Sequence, residues 1–246
     1  MSGKQGIRIA SHVHSDWSYD AKWTLEELAS AFVKRGYRVV LMTEHDKGYD
    51  EQRRQDHRAA CARASSDQIL MMPGIEYSDA DNTVHVLVWG DVPFAGEGVP
   101  TLELLKHVAE HKGVAVLAHP TRKNAWRRVK PEWIKLLAGV ELWNRKSDGW
   151  CISTDGANLI AETGLAAWVG LDFHRSRQFF PLAMTMQLED GVSLTESIMI
   201  EAIREGTVVP KALGVRADQF EAGFLGAASR FADKARRSVL RMIRRK

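Results

Sequence analysis

The sequence has few cysteines and no long apolar run, and each scarcity excludes a class of protein. Its 246 residues include only two cysteines, Cys61 and Cys151, too few for the disulfide framework of a small secreted domain. No segment approaches the roughly 20 consecutive apolar residues that a membrane-spanning helix requires. The opening stretch MSGKQGIRIASH lacks the apolar core of a signal peptide. We therefore expect a cytoplasmic protein in a reducing compartment.

The composition is that of a globular chain with a large core. Hydrophobic residues make up 45% and charged residues 26% of the sequence, which excludes a disordered or fibrous protein. The formal net charge of +3 is unevenly distributed, because residues 216–246 hold nine Lys or Arg and three Asp or Glu. The rest of the chain is mildly acidic. The basic character therefore belongs to the C-terminal tail.

Short β-branched runs alternate with helical periodicity along most of the chain. This alternation predicts parallel strands connected by helices, and hence an α/β fold. Capping boxes at 24–27 and 193–196 predict two helix starts. The predicted strands cover 7–9, 39–42, 69–75, 84–88, 114–117, 140–143, 166–169 and 182–186. We expect one barrel-like unit over residues 1–214 and an appended helical tail over 215–246.

Imidazole and carboxylate side chains recur where predicted strands end. In a parallel α/β barrel the carboxyl ends of the strands converge on one face, so these side chains should meet. Such ligands suit Zn, Fe or Mn, and there are more of them than one ion can use, which predicts two or three ions. Neighbouring ions activate a bridging water and neutralise phosphoryl oxygens. The residues at the strand ends are His12, His14, His45, Glu76, His119, Asp172 and His174.

These residues lie in a series of blocks that resembles the PHP family, named for polymerase and histidinol phosphatase. The blocks follow the family's order over most of residues 7–210, and such an ordered set is far more specific than a single His-x-His. They are His12-Val-His14-Ser15, Ser18-Tyr-Asp20, Thr43-Glu-His45-Asp46, Pro73-Gly-Ile-Glu76, Val84-His-Val-Leu87, Ala118-His-Pro120, Val140-Glu-Leu142 and Gly170-Leu-Asp-Phe-His174.

The resemblance implies a distorted seven-stranded β/α barrel that holds up to three divalent ions. The implied ligands are His12, His14 and Asp172 for one ion, His85 and His119 for a second ion that Glu76 bridges to the first, and Asp20, His45 and His174 for a third. For His85, which lies within an apolar strand, a buried core histidine is the alternative, and for Asp20 an ordinary turn aspartate. The implied catalytic residues are Asp172, His174, Glu76 and Arg122.

Arginines near the strand ends are candidates for binding a phosphate group, because the guanidinium offers a bidentate fork to oxygen. Arg122 follows Ala118-His-Pro120 by two residues and resembles a phosphate-binding arginine of the family. Arg145, Arg175 and Arg177 also follow strand ends, with solvated loop arginines as the alternative.

The sequence also predicts a role or a position for three other residues. Asp46 and Glu141 are candidates for orienting imidazole N–H groups. His57 lies in a charged helix without evident partners, so it is expected at the surface.

The tail combines an apolar stripe with a group of cations. The stripe predicts an amphipathic helix, and residues 236–246 contain six cations and no acid. Packing on the barrel, binding to an anionic membrane and contact with nucleic-acid phosphates remain open, without a firm nucleic-acid or protein partner. A cytoplasmic protein that is peripheral at a membrane is therefore an alternative. The stripe consists of Phe220, Phe224, Ala228, Phe231, Ala235, Val239 and Met242.

The sequence thus predicts a hydrolase of the PHP type that acts on phosphoester bonds. The expected reaction is hydrolysis of a phosphate monoester by a metal-bridging hydroxide, with a small phosphorylated molecule or nucleotide as substrate. An exonuclease or nucleotide phosphatase of the same type is one alternative. A non-catalytic metal-binding accessory module, tethered by its basic tail, is an alternative of another class.

Overall fold

The computed structural model describes residues 3–243, which form twelve strands and seven α-helices. The strands are β1 (Lys4–Val13), β2 (Val39–Met42), β3 (Glu44–His45), β4 (Leu70–Met72), β5 (Gly74–Ser78), β6 (His85–Trp89), β7 (Val114–Leu117), β8 (Gly139–Asn144), β9 (Ala167–Gly170), β10 (Leu182–Glu189), β11 (Val209–Ala212) and β12 (Val215–Arg216). The helices are α1 (Leu25–Val33), α2 (Glu51–Ala64), α3 (Thr101–Glu110), α4 (Pro131–Ile134), α5 (Thr154–Thr163), α6 (Glu196–Arg204) and α7 (Gly223–Ile243).

The strands form two six-stranded sheets, with the orders β12-β11-β10-β1-β2-β4 and β3-β5-β6-β7-β8-β9. The sheets adjoin at two places in the chain, because only Thr43 separates β2 from β3 and only Pro73 separates β4 from β5. They also meet where Val13 forms a parallel bridge with Phe173. The predicted α/β class is confirmed, and a closed barrel of seven strands stays a prediction.

Strand β6 runs antiparallel to both of its neighbours, β5 and β7. The sequence pattern predicted parallel strands here, but the connection over residues 79–84 is too short for the helical crossover that a parallel pair needs. The first residue of β6, His85, is therefore paired with Ser78 at the end of β5. This reversal brings His85 to the same edge as the carboxyl ends of the parallel strands.

The centre of the fold is dense and aromatic. Strand β2 is buried along its whole length, as expected for a parallel strand covered on both faces. Trp89 stacks on Trp168 with ring centroids 5.9 Å apart, and its indole N–H donates to the Met42 carbonyl at 2.9 Å. A Cβ atom at Gly74 would overlap the Trp89 ring. Burial of each such ring stabilises the fold by about 2–3 kcal/mol.

One predicted capping box is confirmed and the other is wrong. The Thr24 hydroxyl accepts the N–H of Glu27 at 3.2 Å, and the Glu27 carboxylate accepts the N–H of Thr24 at 3.0 Å. The box predicted to start at Ser193 does not form, because helix α6 begins at Glu196 and Thr195 is its N-cap. A second hydroxyl residue two positions further on thus takes the capping role.

The predicted boundary at residue 214 falls inside the packed body. Strand β12 pairs with β11 in the first sheet, and Ala217 and Phe220 are buried in the core. Helix α7 follows, and none of the helices within residues 3–243 is long and apolar enough to cross a membrane. The last three basic residues of the predicted tail, 244–246, lie outside the described residues.

Candidate active site

Three of the residues predicted as metal ligands have backbone conformations that non-glycine residues rarely adopt. His12, His119 and Asp172 have φ angles of 61°, 23° and 47°. His12 is the extra residue of a bulge in β1, where the register with β2 shifts between Ser11 and Val13. Such conformations cost about 1–3 kcal/mol each and persist where the surroundings enforce them, which is common at functional sites.

The buried carboxylate of Glu76 lies among five imidazoles. It is 1% exposed, and its position in the middle of β5 places it beside the ends of four other strands. Its oxygens lie 2.7 Å from His85 Nδ1, 2.9 Å from His119 Nε2, 3.2 Å from His45 Nδ1, 3.4 Å from His14 Nε2 and 3.5 Å from His12 Nε2. One carboxylate in this position can contact more than one ion.

Asp20 and Asp172 complete the group of predicted ligands. The carboxylate oxygens of Asp20 lie 3.2 Å from His45 Nε2 and 3.1 Å from His174 Nε2. Asp172 Oδ1 lies 3.8 Å from the Nε2 atoms of both His12 and His14. The structure thus brings all nine predicted ligands into one cluster, which we call the histidine–carboxylate cluster.

The cluster offers four sets of three donor atoms within 4.8 Å of one another. Within residues 3–243, the buried Nε2 atoms of His12, His14 and His45 have no hydrogen-bond partner. An unsatisfied buried polar atom costs about 1–3 kcal/mol, and coordination to a metal removes that cost. The donors therefore fit divalent metal ions. The sets are His12, His14 and Glu76; Glu76, His85 and His119; His12, His119 and Asp172; and His14, His45 and His174.

Burial and charge act in opposite directions on the pKa values of the cluster. Burial would raise the pKa of Glu76, but the charge of His12 and neighbouring imidazoles holds it well below its ordinary value. Burial would lower the pKa of His45, but the adjacent carboxylates of Asp20 and Glu76 raise it to about 10. Burial and adjacent imidazoles lower the pKa of His14. The carboxylates are thus ionised and require compensating positive charge, which divalent ions can supply.

A second layer of side chains orients the cluster. Glu141 is buried, accepts a hydrogen bond from His12 Nδ1 at 2.9 Å and another from the His119 N–H at 2.7 Å. Gly170 is required beside it, because a Cβ atom there would overlap the Glu141 carboxylate. The predicted orienting role of Glu141 agrees with this geometry. Asp46 instead accepts the backbone N–H of Ser78 at 3.1 Å, so it fixes the end of β5.

Sequence reasoning missed a buried network around Glu44. The Glu44 carboxylate accepts the hydroxyls of Ser15 at 2.6 Å and Ser18 at 2.5 Å. The Ser18 hydroxyl also lies 3.3 Å from His14 Nδ1 and accepts the His45 N–H at 3.1 Å. Glu44 therefore supports two of the cluster imidazoles from behind. The two serines of the opening blocks were the available signal for this network.

His57 is buried beneath the same network, which corrects the expectation of a surface position. It is 1% exposed, and its Nε2 lies 3.3 Å from Cys61 Sγ and 3.7 Å from Glu44. The buried side of α2 also includes Ala60 and Cys61, small residues three and four positions after His57. That spacing, rather than the overall charge of the helix, indicates its inward face.

A cavity of about 590 Å³ opens beside the cluster. Three cations line it. Arg122 Nη1 donates to His85 Nε2 at 3.0 Å, Lys146 Nζ lies 3.1 Å from Asp172 Oδ1, and Lys47 Nζ lies 5.6 Å from the centroid of the Tyr19 ring. The sequence predicted Arg122 but missed Lys146. The residues that line the cavity include Tyr19, Asp20, His45, Lys47, Glu76, Asp79, Asn82, His85, Glu97, His119, Arg122, Lys146 and Asp172.

The other three predicted phosphate-binding arginines are not among the described residues that line the cavity. The guanidinium of Arg145 lies over the Phe180 ring, 5.3 Å from its centroid, and donates to the Arg177 carbonyl at 3.3 Å. Arg175 and Arg177 are exposed. In the turn after β8 it is therefore Lys146, the residue following Arg145, that reaches the cavity.

The fold and the histidine–carboxylate cluster define an α/β protein with a candidate polynuclear metal site. Two solved structures share this fold over most of the chain. One is a two-domain protein from Bacteroides vulgatus containing a predicted PHP-like metal-dependent phosphoesterase, with a TM-score of 0.63, 14% identity, and coverage of 85% of this chain and 65% of that protein. The other is PsfC from Pseudomonas syringae, with a TM-score of 0.62, 14% identity, and coverage of 95% and 99%.

A third neighbour is the lesion-specific endonuclease PfuEndoQ from Pyrococcus furiosus. Its TM-score is 0.55 at 15% identity, and the match covers 85% of this chain and 59% of the endonuclease. No protein-family model and no curated protein matches the chain. The chain spans less than two thirds of the Bacteroides protein and of the endonuclease. The resemblance to PHP proteins is thus confirmed as a resemblance of fold.

Proposed function

We propose that the chain is a metal-dependent hydrolase that cleaves phosphate monoesters. The observation that carries this proposal is the buried Glu76 carboxylate, which has five imidazoles within 3.5 Å at the base of a cavity lined by three cations. The fold shared with a protein that contains a predicted PHP-like phosphoesterase supports the same reaction class.

The nine residues of the cluster would hold two or three divalent ions, Zn, Mn or Fe. When bound, these ions provide a hydroxide nucleophile near neutral pH and neutralise charge on the phosphoryl oxygens. The chain's own contribution is to hold the ligand rings in place. Glu141 fixes the ring of His12 through Nδ1, and Ser18 contacts Nδ1 of His14.

Of the three cavity cations, Arg122 and Lys146, which contact residues of the cluster, would bind the phosphoryl group. Arg122 lies at one side of the cavity, and its fork is held by Asn82, whose carbonyl accepts from Nη1 at 2.9 Å and whose side-chain oxygen accepts from Nη2 at 3.2 Å. Lys146 lies at another part of the wall, next to Asp172 and His174. Charge-assisted hydrogen bonds from such groups are about twice as strong as neutral ones.

His174 is the candidate proton donor to the leaving oxygen in a site that holds two ions, because an imidazole that binds a third ion could not also donate a proton. Its Nε2 lies 3.1 Å from Asp20, and Asp20 lines the cavity. The cavity volume of about 590 Å³ falls within the range of sites for small molecules, which suits a phosphorylated metabolite.

Hydrolysis of polynucleotides or nucleotides is the second candidate, favoured by the fold shared with a lesion-specific endonuclease. The cavity wall disfavours a long polyanion, because Asp79 and Glu97 line it together with the cations. A non-catalytic metal-binding module is the candidate of another class. Both alternatives predict different outcomes in one assay.

The test is phosphate release from a substrate panel, with shortened products measured for the oligonucleotides, by protein reconstituted with Mn, Zn or Fe and with bound metal counted in parallel. The panel comprises sugar phosphates, histidinol phosphate, nucleoside mono- and bisphosphates and short oligonucleotides. We expect turnover of small monoesters, and its loss in Asp172→Asn with the fold retained. The control is His111→Asn, an exposed histidine at the end of α3.

Each alternative has its own signature in this assay. Preferential cleavage of oligonucleotides would replace the monoester proposal with a nuclease. Bound metal without turnover, together with destabilisation rather than simple inactivity in Asp172→Asn, would indicate the accessory module.

A further inference from the structure

Helix α7 packs on the body through polar residues. Asp233 is 3% exposed, accepts the N–H of Trp150 at 3.0 Å and pairs with Arg236 at 2.7 Å. Ser229 is also buried. Arg237 reaches the same loop, where its Nη2 donates to the carbonyl of Asp148 at 3.1 Å. The side of α7 that faces the protein is therefore held mainly by polar contacts, and Leu225 in its first turn is partly buried against the core.

The opposite side of α7 is apolar and exposed. Phe224, Phe231 and Met242 are 84%, 76% and 63% exposed. Their spacing of seven and eleven residues places them within about 20° of one line along the helix, whereas Asp233 lies about 180° from Phe224. Amphipathic helices of globular proteins ordinarily turn the apolar side inward. The apolar stripe predicted from the sequence thus does not pack on the body beyond Phe220, which is buried.

Exposed cations border this apolar line on one side. Arg230, Lys234 and Arg241 are exposed, and they lie about 60–120° around the helix from the phenylalanines. The one acid of the sequence 223–243 is Asp233, which is buried and paired. The residues that follow in the sequence, 244–246, are all basic. A surface that covers this side of α7 must therefore be apolar in its interior and anionic at its boundary.

We propose that α7 binds the surface of membranes that contain anionic lipids. Phe224, Phe231 and Met242 would enter the boundary between headgroups and acyl chains, and the adjacent cations would contact lipid phosphates. An antiparallel two-fold contact with a second copy fits less well, because it would bring two rows of cations together on one side without an anionic complement. The inference is independent of the proposed hydrolase activity.

The test is co-sedimentation of the full chain with vesicles of phosphatidylcholine alone and with about 30% phosphatidylglycerol. We expect binding to the anionic vesicles, with weakening at high salt. The triple variant Phe224→Ser/Phe231→Ser/Met242→Ser should lose binding. The triple variant Arg230→Gln/Lys234→Gln/Arg241→Gln should bind at least about tenfold more weakly. All six side chains are exposed, so both variants should fold.

The matched control is Val192→Ser/Leu213→Ser, which removes two exposed apolar side chains outside α7 and should leave binding unchanged. Failure of the wild-type chain to bind anionic vesicles overturns the proposal. A dimer that the serine triple variant dissociates, in light scattering without lipid, also overturns it in favour of self-association. Equal binding to neutral vesicles removes the assigned role of the cations and contradicts the proposal as stated.

Discussion

Glu141 accepts a hydrogen bond from Nδ1 of His12 at 2.9 Å, between residues 129 positions apart in the sequence. The same carboxylate accepts the backbone N–H of His119 at 2.7 Å and the side-chain amide of Asn144 at 2.8 Å. One buried acid thus fixes a ring and a backbone turn that belong to two different strand ends. The opposite ring nitrogen of His12, Nε2, is directed towards Glu76 and Asp172.

This relationship predicts that Glu141 controls metal affinity without being a ligand. Glu141→Gln keeps the shape of the side chain but removes its charge, so we expect metal affinity to fall about 10–100-fold, as for other partners of ligating imidazoles. Chelator competition measures the change. Glu103→Gln, an exposed residue of α3, is the control. Unchanged affinity in Glu141→Gln would show that the His12 ring is held by other contacts.

Arg122 and Lys146 line the cavity, whereas Arg145, the neighbour of Lys146, does not. Substitutions of these basic residues should therefore differ in their effect on activity. Arg122→Ala and Lys146→Ala should each lower kcat/KM for the phosphorylated substrate about 10–100-fold, because each loses a charge-assisted hydrogen bond worth about 1.5–3 kcal/mol. Bound metal should stay constant. Arg145→Ala is the matched control, since its guanidinium lies over Phe180 outside the cavity. An equal loss in Arg145→Ala would mean that the turn after β8 rearranges when substrate binds.

The burial of His57 predicts a pH dependence of stability. Burial lowers the pKa of His57 to about 3, whereas the unfolded chain should titrate near 6.5. The unfolded state therefore binds the extra proton below that value, and stability is present above pH 6.5 and lost as the pH falls. Between pH 7 and 5 this amounts to about 2 kcal/mol.

His57→Gln should remove that part of the acid sensitivity. Urea unfolding at pH 7 and pH 5 measures it, with the exposed His111→Gln as the control for general effects of losing a histidine. If His57→Gln and the wild-type chain lose equal stability over this interval, the imidazole is not kept neutral by burial.

The C-terminal segment predicts two different truncation outcomes. A chain that ends after Ala222 retains Phe220, which is buried and packs against Trp143 with ring centroids 5.4 Å apart. A chain that ends after Gly214 loses that contact together with Ala217 and β12. We expect the shorter chain to be less stable by about 3–5 kcal/mol or more. Thermal unfolding compares the two, and equal stability would contradict the assignment of 215–220 to the body.

The ligand cluster could be predicted from the sequence because its residues follow strand ends in an ordered series. His12, Glu76 and Asp172 belong to blocks that can be recognised from their order and spacing in the sequence, without knowledge of how the chain packs. The place of His85 in the cluster depends on the antiparallel direction of β6. A strand pattern predicts which side chains share a face, but it does not predict the direction in which the strand runs.

The features that the sequence did not predict depend on the direction in which a side chain points. Arg145 and Lys146 are adjacent and both basic, so only the geometry of the turn distinguishes the residue that reaches the cavity. Glu44 has the charge of a surface residue, and the serines that satisfy it lie 29 and 26 positions earlier. For α7, periodicity predicts an apolar stripe but cannot show that Asp233, on the other side, is the residue that packs against the body.

The most direct test of the account is phosphate release from a small phosphate monoester by one preparation of protein in three states: metal-loaded, chelator-stripped and reloaded. We predict turnover in the loaded state with two or three divalent ions per chain, its loss on stripping, its return on reloading, and no activity in Glu76→Gln under the same conditions. Turnover that persists in the stripped protein, or in Glu76→Gln, would contradict the assignment of the histidine–carboxylate cluster as the catalytic centre.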